Sequence, residues 1–307
     1  MYDLIIIGGG PAGVSAGVYA ARKKLKTLLI TESFGGQSVD SMGVENWIGT
    51  INISGPELAK QLESHIRAYA SDSVVIKTGL KANKVEKVSN GFKIYIGDEN
   101  FETKTILIAS GSNRRKLEIK GAKEFENKGI TYCASCDGPV FSGQDVLVIG
   151  GGNAGFETAA QLLSYTKSVT LLHRNDQFKA DEMTVEKVLS HPNMKGILNA
   201  EPLEVKGDKF VKSLLFRDSK TGEEKEIFAS GIFVEIGLIP NTSFVDSLVP
   251  LNNFKQIKID PKTQRTEVEG IWAAGDVTDS LYHQNNIAAG DAVKALENIY
   301  LFIHTGK

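Results

Sequence analysis

Two glycine turns of the form GxGxxG constrain the fold of this chain more than any other feature. The first, Gly8-Gly9-Gly10-Pro11-Ala12-Gly13, follows an apolar stretch from Asp3 to Ile7 and precedes a helical stretch from Val14 to Lys24 and a strand-like stretch from Thr27 to Thr31. The second, Gly150-Gly151-Gly152-Asn153-Ala154-Gly155, repeats the pattern, with Asp145 to Ile149 before it and Phe156 to Leu163 and Val169 to His173 after it. Between a strand and a helix such glycines permit a tight turn, close approach of a pyrophosphate and close helix packing. The duplication predicts an α/β chain with two doubly wound dinucleotide-binding domains, and 307 residues leave room for two domains of ordinary size.

Later segments say how the two domains share the chain. Thr105 to Ala109 runs into Ser110-Gly111, and Gly231 to Gly237 has the same look of a strand entering a turn. A third such strand, Ile271 to Asp276, is followed by a helix from about Asn286 to His304. This last piece lies beyond the second glycine unit, yet the first unit needs a closing strand and helix, so the chain is expected to return to the first domain. The second domain is then an insertion, with residues 1–114 and 245–307 forming one domain and residues 115–244 the other. Leu58, Leu62, Ile66 and Tyr69 recur at helical spacing within Pro56 to Ala70 and read as a packing face. Lys220 to Glu226 reads as a solvated hairpin turn around Thr221-Gly222.

Glu32, at the end of the strand after the first turn, is placed to accept hydrogen bonds from a ribose hydroxyl pair. The matching strand of the second unit ends in His173-Arg174, with Lys179 five residues on, and cations there suit the 2′-phosphate of NADP. Two dinucleotide sites in one chain divide naturally between a bound flavin and an exchanged nicotinamide nucleotide. The only two cysteines form Cys133-Ala134-Ser135-Cys136, too few for a disulfide framework. Five scattered histidines and no second CxxC argue against zinc, which leaves redox chemistry, and no metal is expected. One thiol of such a pair attacks as thiolate while its neighbour resolves the mixed disulfide, and Asp137 stands next in line to trade protons with it.

With these pieces in place the chain resembles the low-molecular-weight thioredoxin reductase family from Tyr2 almost to its end. Besides both glycine turns, the resemblance is carried by Gly35-Gly36-Gln37, Val44-Glu45-Asn46-Trp47, Cys133 to Gly138, Ala273-Ala274-Gly275-Asp276-Val277 and Tyr282-His283-Gln284. Glu32 to Gln37, Cys136-Asp137-Gly138-Pro139 and Gly231-Ile232-Phe233-Val234-Glu235-Ile236-Gly237 are similar to the flavoprotein portion of the F component of alkyl hydroperoxide reductase. The resemblance implies FAD held by Gly8, Gly10, Pro11, Ala12, Gly13, Glu32, Gly36, Gln37, Asn46, Gly275, Asp276, Val277, His283, Gln284 and Asn285, with Asp276 on the ribityl chain. It implies NAD(P)H held by Gly150, Gly152, Asn153, Ala154, Gly155, His173, Arg174, Lys179 and Gly237. Cys136 would face the flavin, Cys133 would attack the partner disulfide, and Asp137 would serve as the acid. The nicotinamide domain would rotate between turnover steps, and homodimers are usual.

Three positions depart from the family pattern. Asn175 and Lys179 stand where NADPH-selective members carry arginines, so two cations remain where three would sit, and NADH stays open as the donor beside NADPH. His283 stands where thioredoxin reductases commonly have Arg. The chain opens directly on the first strand, without the thioredoxin-like extension of the peroxide-reductase flavoprotein, which implies an external thioredoxin- or glutaredoxin-like acceptor. The nearly balanced charge, 35 basic against 37 acidic residues, speaks against nucleic acid or anionic lipid as a partner. No apolar run approaches a membrane span, and a cytoplasmic protein is expected. Competing readings are a reductase partner of a peroxide-reducing system using NADH, a small-molecule dithiol oxidase, a ferredoxin-fed reductase and a flavin redox sensor. The Arg174/Lys179 pair argues against the oxidase and the intact second glycine turn against ferredoxin.

Overall fold

The apolar run Leu4 to Ile7 is almost wholly removed from water because it becomes the central strand of a sheet covered on both faces. The computed structural model describes residues 1–41, 43–70 and 73–306, and the chain divides into two compact units. Unit 1 comprises Met1–Asn113 and Ile239–Lys307, and unit 2 comprises Arg114–Leu238.

In unit 1 the sheet order is Val74–Thr78, Thr27–Phe34, Tyr2–Gly9, Glu99–Ile108, Gly91–Ile96, Lys84–Val88, with Ile271–Ala273 also pairing with Glu99–Ile108. The pairs that involve Tyr2–Gly9, Thr27–Phe34 and Ile271–Ala273 are parallel, whereas Lys84–Val88 and Gly91–Ile96 add an antiparallel hairpin that the periodicity of the sequence did not reveal. The long strand Glu99–Ile108 serves both, which is why the expected strand from Thr105 is only its buried end. Helices Pro11–Arg22 and Asn285–Thr305 cover one face together with Gly55–Tyr69. The last of these starts at Ser54, whose hydroxyl accepts from the Glu57 amide, a cap worth about 1 kcal/mol. Leu58, Leu62 and Ile66 pack inward and, at full burial, each stabilises by roughly 1.5–3 kcal/mol. Tyr69, expected on that face, is instead 39% exposed, because the last turn runs beyond the edge of the core and the ring stacks near His65 and Arg22. The return of the chain through Ile271–Ala273 and the final helix supplies the closing elements of this unit.

Unit 2 has a parallel sheet in the order Met194–Ile197, Ser168–Leu172, Asp145–Ile149, Gly231–Val234, Ile130–Thr131. Its helix Asn153–Leu162 follows the second glycine turn. A separate antiparallel sheet, Ala200–Gly207, Val211–Asp218 and Glu224–Phe228, shares one core with it through Leu147, Leu214, Phe216 and Ile232. The hairpin turn expected around Gly222 joins the last two of these strands, with Gly222 at φ +76°. In the stretch Gly231 to Gly237, expected to run from strand into turn, the strand ends at Val234, although the Glu235 amide still donates to the Ile149 carbonyl. In both units the strand that leads into the glycine turn has the strands that follow it on one side and a still later strand on the other, so each glycine turn stands where the strand order reverses, the place where open α/β sheets bind ligands.

Candidate active site

The glycines of each turn separate into two kinds. A Cβ on Gly8 would stand 2.1 Å from the Ala109 carbonyl oxygen, and one on Gly13 would stand 1.9 Å from the Gly8 carbonyl oxygen. In unit 2, Gly150 would collide with the Glu235 carbonyl at 2.1 Å and Gly155 with that of Gly150 at 1.9 Å. These four are required by the fold itself. A Cβ on Gly9 or Gly151 would also collide, with Thr31 at 2.5 Å or His173 at 2.6 Å, but the second glycine of each GxGxxG is open: Gly10 would meet nothing nearer than the Gly36 Cα at 3.8 Å, and Gly152 nothing within 4 Å. The helices that follow, Pro11–Arg22 and Asn153–Leu162, have no side-chain cap and no acidic residue in the first turn, so their amide ends stay available to an anion. Open space over an uncapped helix start fits a closely approaching pyrophosphate in both units.

Around the first turn the other candidate residues come together from distant parts of unit 1. The Gln37 side-chain amide donates to Asp276 at 3.0 Å and to Ser112 at 3.2 Å, while its Oε1 is buried with no hydrogen-bond partner. An unmatched buried acceptor costs about 1–3 kcal/mol unless a ligand donor meets it, which fits a polar heterocycle or hydroxylated chain bound alongside. Ser38 donates to Asn285, Asn46 to Gln284, and Asn286 to the Asn46 carbonyl, joining the segments after the second and the last parallel strands. Gly275, at φ +76°, packs between Ala12 and Ala288. Pro11 and Ala12 are buried at the helix start, and Gly36 faces Gly10. Glu32 is exposed and only loosely paired with Lys81, at 3.6 Å. Two residues sit differently: Val277 is fully buried in the core, its carbonyl accepting from the Ile257 amide, and the His283 ring is turned onto the Ser280 carbonyl at 2.9 Å.

In unit 2 the cysteines form the disulfide Cys133–Cys136, Cα to Cα 5.3 Å, at the start of the short helix Ala134–Asp137. Both are partly exposed, and the Cys136 amide donates to Cys133 Sγ at 3.2 Å. Once reduced, that amide favours a thiolate on Cys133. Asp137 accepts a hydrogen bond from Thr131, whose hydroxyl also accepts from the Cys133 amide. Burial pushes the Asp137 carboxyl above its ordinary range, against the opposing pull of the Thr131 hydrogen bond and the Arg114 charge. The turn is braced from the neighbouring helix and its tail: Gln161 accepts from Ser135, Tyr165 donates to the Ala134 carbonyl, and a Cβ on Gly138 would stand 2.3 Å from the Tyr165 hydroxyl and displace it.

The second turn is closed by the segment after Ser168–Leu172. The Lys179 amide donates to Gly151, and the Asp181 amide donates to Asn153, while the Gly151 amide donates to His173 Nδ1. His173 is buried, and burial, with the charge of Lys179 next, holds its pKa below the ordinary value. It therefore supports the turn as a neutral ring with Nε2 unmatched, and the cations of the expected set are Arg174 and Lys179. Both are exposed, and neither has an ion pair among the described residues. Ala154 is exposed at the helix start, and Gly237, at φ +106°, lies beyond Glu235. Thr131, Thr158 and Glu235 were not among the residues expected from the sequence; an acidic residue inside the apolar run Gly231 to Gly237 was the available signal for the last.

Two α/β units, each with a dinucleotide-type turn, and a cysteine pair built for redox change define a two-nucleotide redox protein. The chain belongs to the pyridine nucleotide-disulphide oxidoreductase family, whose model matches residues 2–292. It is 40% identical over 297 residues to a protein called NADH dehydrogenase from Bacillus subtilis strain 168, covering 96% of this chain and 57% of that one. It is 40% identical over 303 residues to the F component of alkyl hydroperoxide reductase of Staphylococcus epidermidis strain RP62A, covering 98% and 59%. The chain thus spans less than two thirds of the length of these relatives. Among solved structures it is similar to the thioredoxin reductase of Streptococcus pyogenes MGAS5005, with 33% identity, a TM-score of 0.90 and 99% of each chain covered. Among the described residues no helix is long and apolar enough to cross a membrane, and no cluster of three His, Cys, Asp or Glu is placed to hold a metal.

Proposed function

We propose that this chain is an FAD-dependent, thioredoxin-reductase-type enzyme that passes two electrons from NAD(P)H through the Cys133–Cys136 pair to a thioredoxin- or glutaredoxin-like protein disulfide. The observation that carries this reading is the Cys133–Cys136 disulfide beside a carboxyl of raised pKa, in the unit that bears the second dinucleotide turn. FAD bound at the first turn would supply two-electron redox chemistry between the nicotinamide and the disulfide. Gly10, Gly36 and the Gln37–Asp276 pair would hold it, with Glu32 on its ribose. Gly152 and the helix start would hold the nicotinamide nucleotide, with Arg174 and Lys179 toward its adenosine end.

Two electrons and two protons convert the Cys133–Cys136 disulfide to a dithiol. Cys133, as thiolate, attacks one sulfur of the acceptor disulfide, and the acceptor's other sulfur leaves and takes a proton. The Cys136 thiolate then attacks Cys133 Sγ, re-forming the internal disulfide and releasing the acceptor as a dithiol. Asp137 keeps a proton at higher pH than an ordinary carboxyl and stands next to Cys136, so it would supply the proton to a departing thiolate. A cytoplasmic location and a homodimer belong to the same reading; a pair that must cycle suits a compartment where thiols are kept reduced.

A second reading, the NADH-driven reductase of a peroxide-reducing system, is favoured by the two relatives at 40% identity and by Asn175, which offers no charge to a 2′-phosphate. Anaerobic mixing of the flavin-loaded protein with NADPH or NADH, followed by an oxidised thioredoxin, tests both. Bleaching of the flavin band by NADPH and recolouring by the disulfide support the first reading; bleaching by NADH alone supports the second. Absence of bleaching by either nucleotide removes both.

A further inference from the structure

We propose that Glu235 is a positioning and specificity residue for the nicotinamide half of the dinucleotide, and that its change between neutral acid and carboxylate makes unit 2 discriminate between reduced and oxidised nucleotide. This rests on reading the second glycine turn as the nicotinamide nucleotide site.

The topology places the residue. Asp145–Ile149 lies between Ser168–Leu172 on one side and Gly231–Val234 on the other, and the glycine turn leaves its end. Arg174 and Lys179 follow Ser168–Leu172, on the side where the adenosine phosphate would lie. A dinucleotide with its pyrophosphate over Gly152 therefore extends its other half toward the end of Gly231–Val234, where Glu235 is the next residue. Glu235 is bound into the turn itself: its carbonyl fills the space that forbids a Cβ on Gly150, and its Oε1 accepts from Thr158 Oγ1 at 2.9 Å. Thr158 belongs to the helix that the turn opens. The preceding Ile232, Phe233 and Val234 are buried and apolar, so packing does not call for a carboxyl here.

The groups facing it pull in opposite directions. The Arg114 charge and the Thr158 hydroxyl favour the carboxylate and Glu157 opposes it, but burial is the largest influence and pushes the carboxyl up to about 7. Near neutral pH the group therefore sits between its two forms. As a neutral acid it can donate a hydrogen bond to a carboxamide and does not repel an anionic dinucleotide carrying an uncharged reduced ring. As a carboxylate it disfavours that ligand and favours the pyridinium of the oxidised one. Rising pH should thus weaken the reduced nucleotide relative to the oxidised.

The test uses the flavin-loaded protein in its oxidised state. Calorimetry at pH 6 and pH 8 would compare NAD⁺ with tetrahydro-NAD, whose uncharged ring cannot transfer hydride; neither carries a 2′-phosphate that titrates in this range. If the protein binds only the 2′-phosphorylated forms, their counterparts replace them, both pH points lying above the phosphate's own titration. The ratio of Kd values, reduced analogue over NAD⁺, should rise about fivefold in the wild type, an ordinary coupling between two sites. In Glu235→Gln the ratio should stay level. In Thr158→Val, which removes a hydrogen bond to the carboxylate, the rise should move to higher pH. A level ratio in the wild type, or an undiminished rise in Glu235→Gln, overturns the proposal. Failure of every nicotinamide nucleotide to bind at any pH removes instead the reading on which it rests, and the proposal with it.

Discussion

Replacing Gly152 by alanine separates what the second turn owes to folding from what it owes to a ligand. Gly152 has φ −97° and ψ −177°, an extended conformation that any residue adopts, and a Cβ there meets nothing within 4 Å. Without nucleotide, Gly152→Ala should leave stability unchanged or raise it by about 0.4–1 kcal/mol, because alanine restricts the unfolded chain. The methyl would nevertheless occupy the open side of the turn, where a pyrophosphate would come nearest. Nucleotide affinity should fall at least about tenfold, or about 1.4 kcal/mol. Gly155→Ala is the control, since its Cβ would stand 1.9 Å from the Gly150 carbonyl oxygen and the backbone has to move, at a cost of roughly 3 kcal/mol or more. Thermal melts of the flavin-loaded variants, followed by calorimetric titration with NADPH and NADH, give both quantities. A Gly152→Ala protein that binds nucleotide as the wild type does would refute the assignment of the open side to a pyrophosphate. One destabilised as much as Gly155→Ala would show that the fold itself requires the glycine.

Cys133→Ser and Cys136→Ser should each abolish reduction of a protein disulfide while leaving flavin bleaching by NAD(P)H in place, as anaerobic spectra would show. Arg174→Ala with Lys179→Ala should raise KM for NADPH about tenfold or more and leave KM for NADH nearly unchanged, if both cations meet a 2′-phosphate. Asp137→Asn should slow disulfide reduction most at low pH, where the wild-type carboxyl is protonated; in the wild type the rate should fall as pH rises through the raised pKa, and that limb should vanish in the variant. Glu235 also links stability to pH. Its folded pKa of about 7 exceeds the ordinary 4.5, so the unfolded chain ionises first and stability declines as pH rises between those values, by about 3 kcal/mol at most. Denaturant unfolding at pH 5 and pH 8 should show this decline in the wild type and not in Glu235→Gln.

By itself the sequence determined the features set by short-range chemistry. Glycine spacing between an apolar strand and a helix is a local requirement of turn sterics, so both turns, Cys133 with Cys136, and the α/β class could be read directly. The antiparallel hairpin Lys84–Val88 and Gly91–Ile96 and the three-stranded sheet of unit 2 escaped, because their pairing is decided by partners rather than by local period. Only the tertiary structure set Gln37 on Asp276, 239 positions apart, and left its other atom unmatched. It also decided charge: burial holds the pKa of His173, adjacent to Arg174, below the ordinary value, and raises those of Asp137 and Glu235 above those of exposed carboxyls. Residue type sets a pKa in water, but burial and the neighbours that folding brings near set it in the protein, and these cannot be read along the chain.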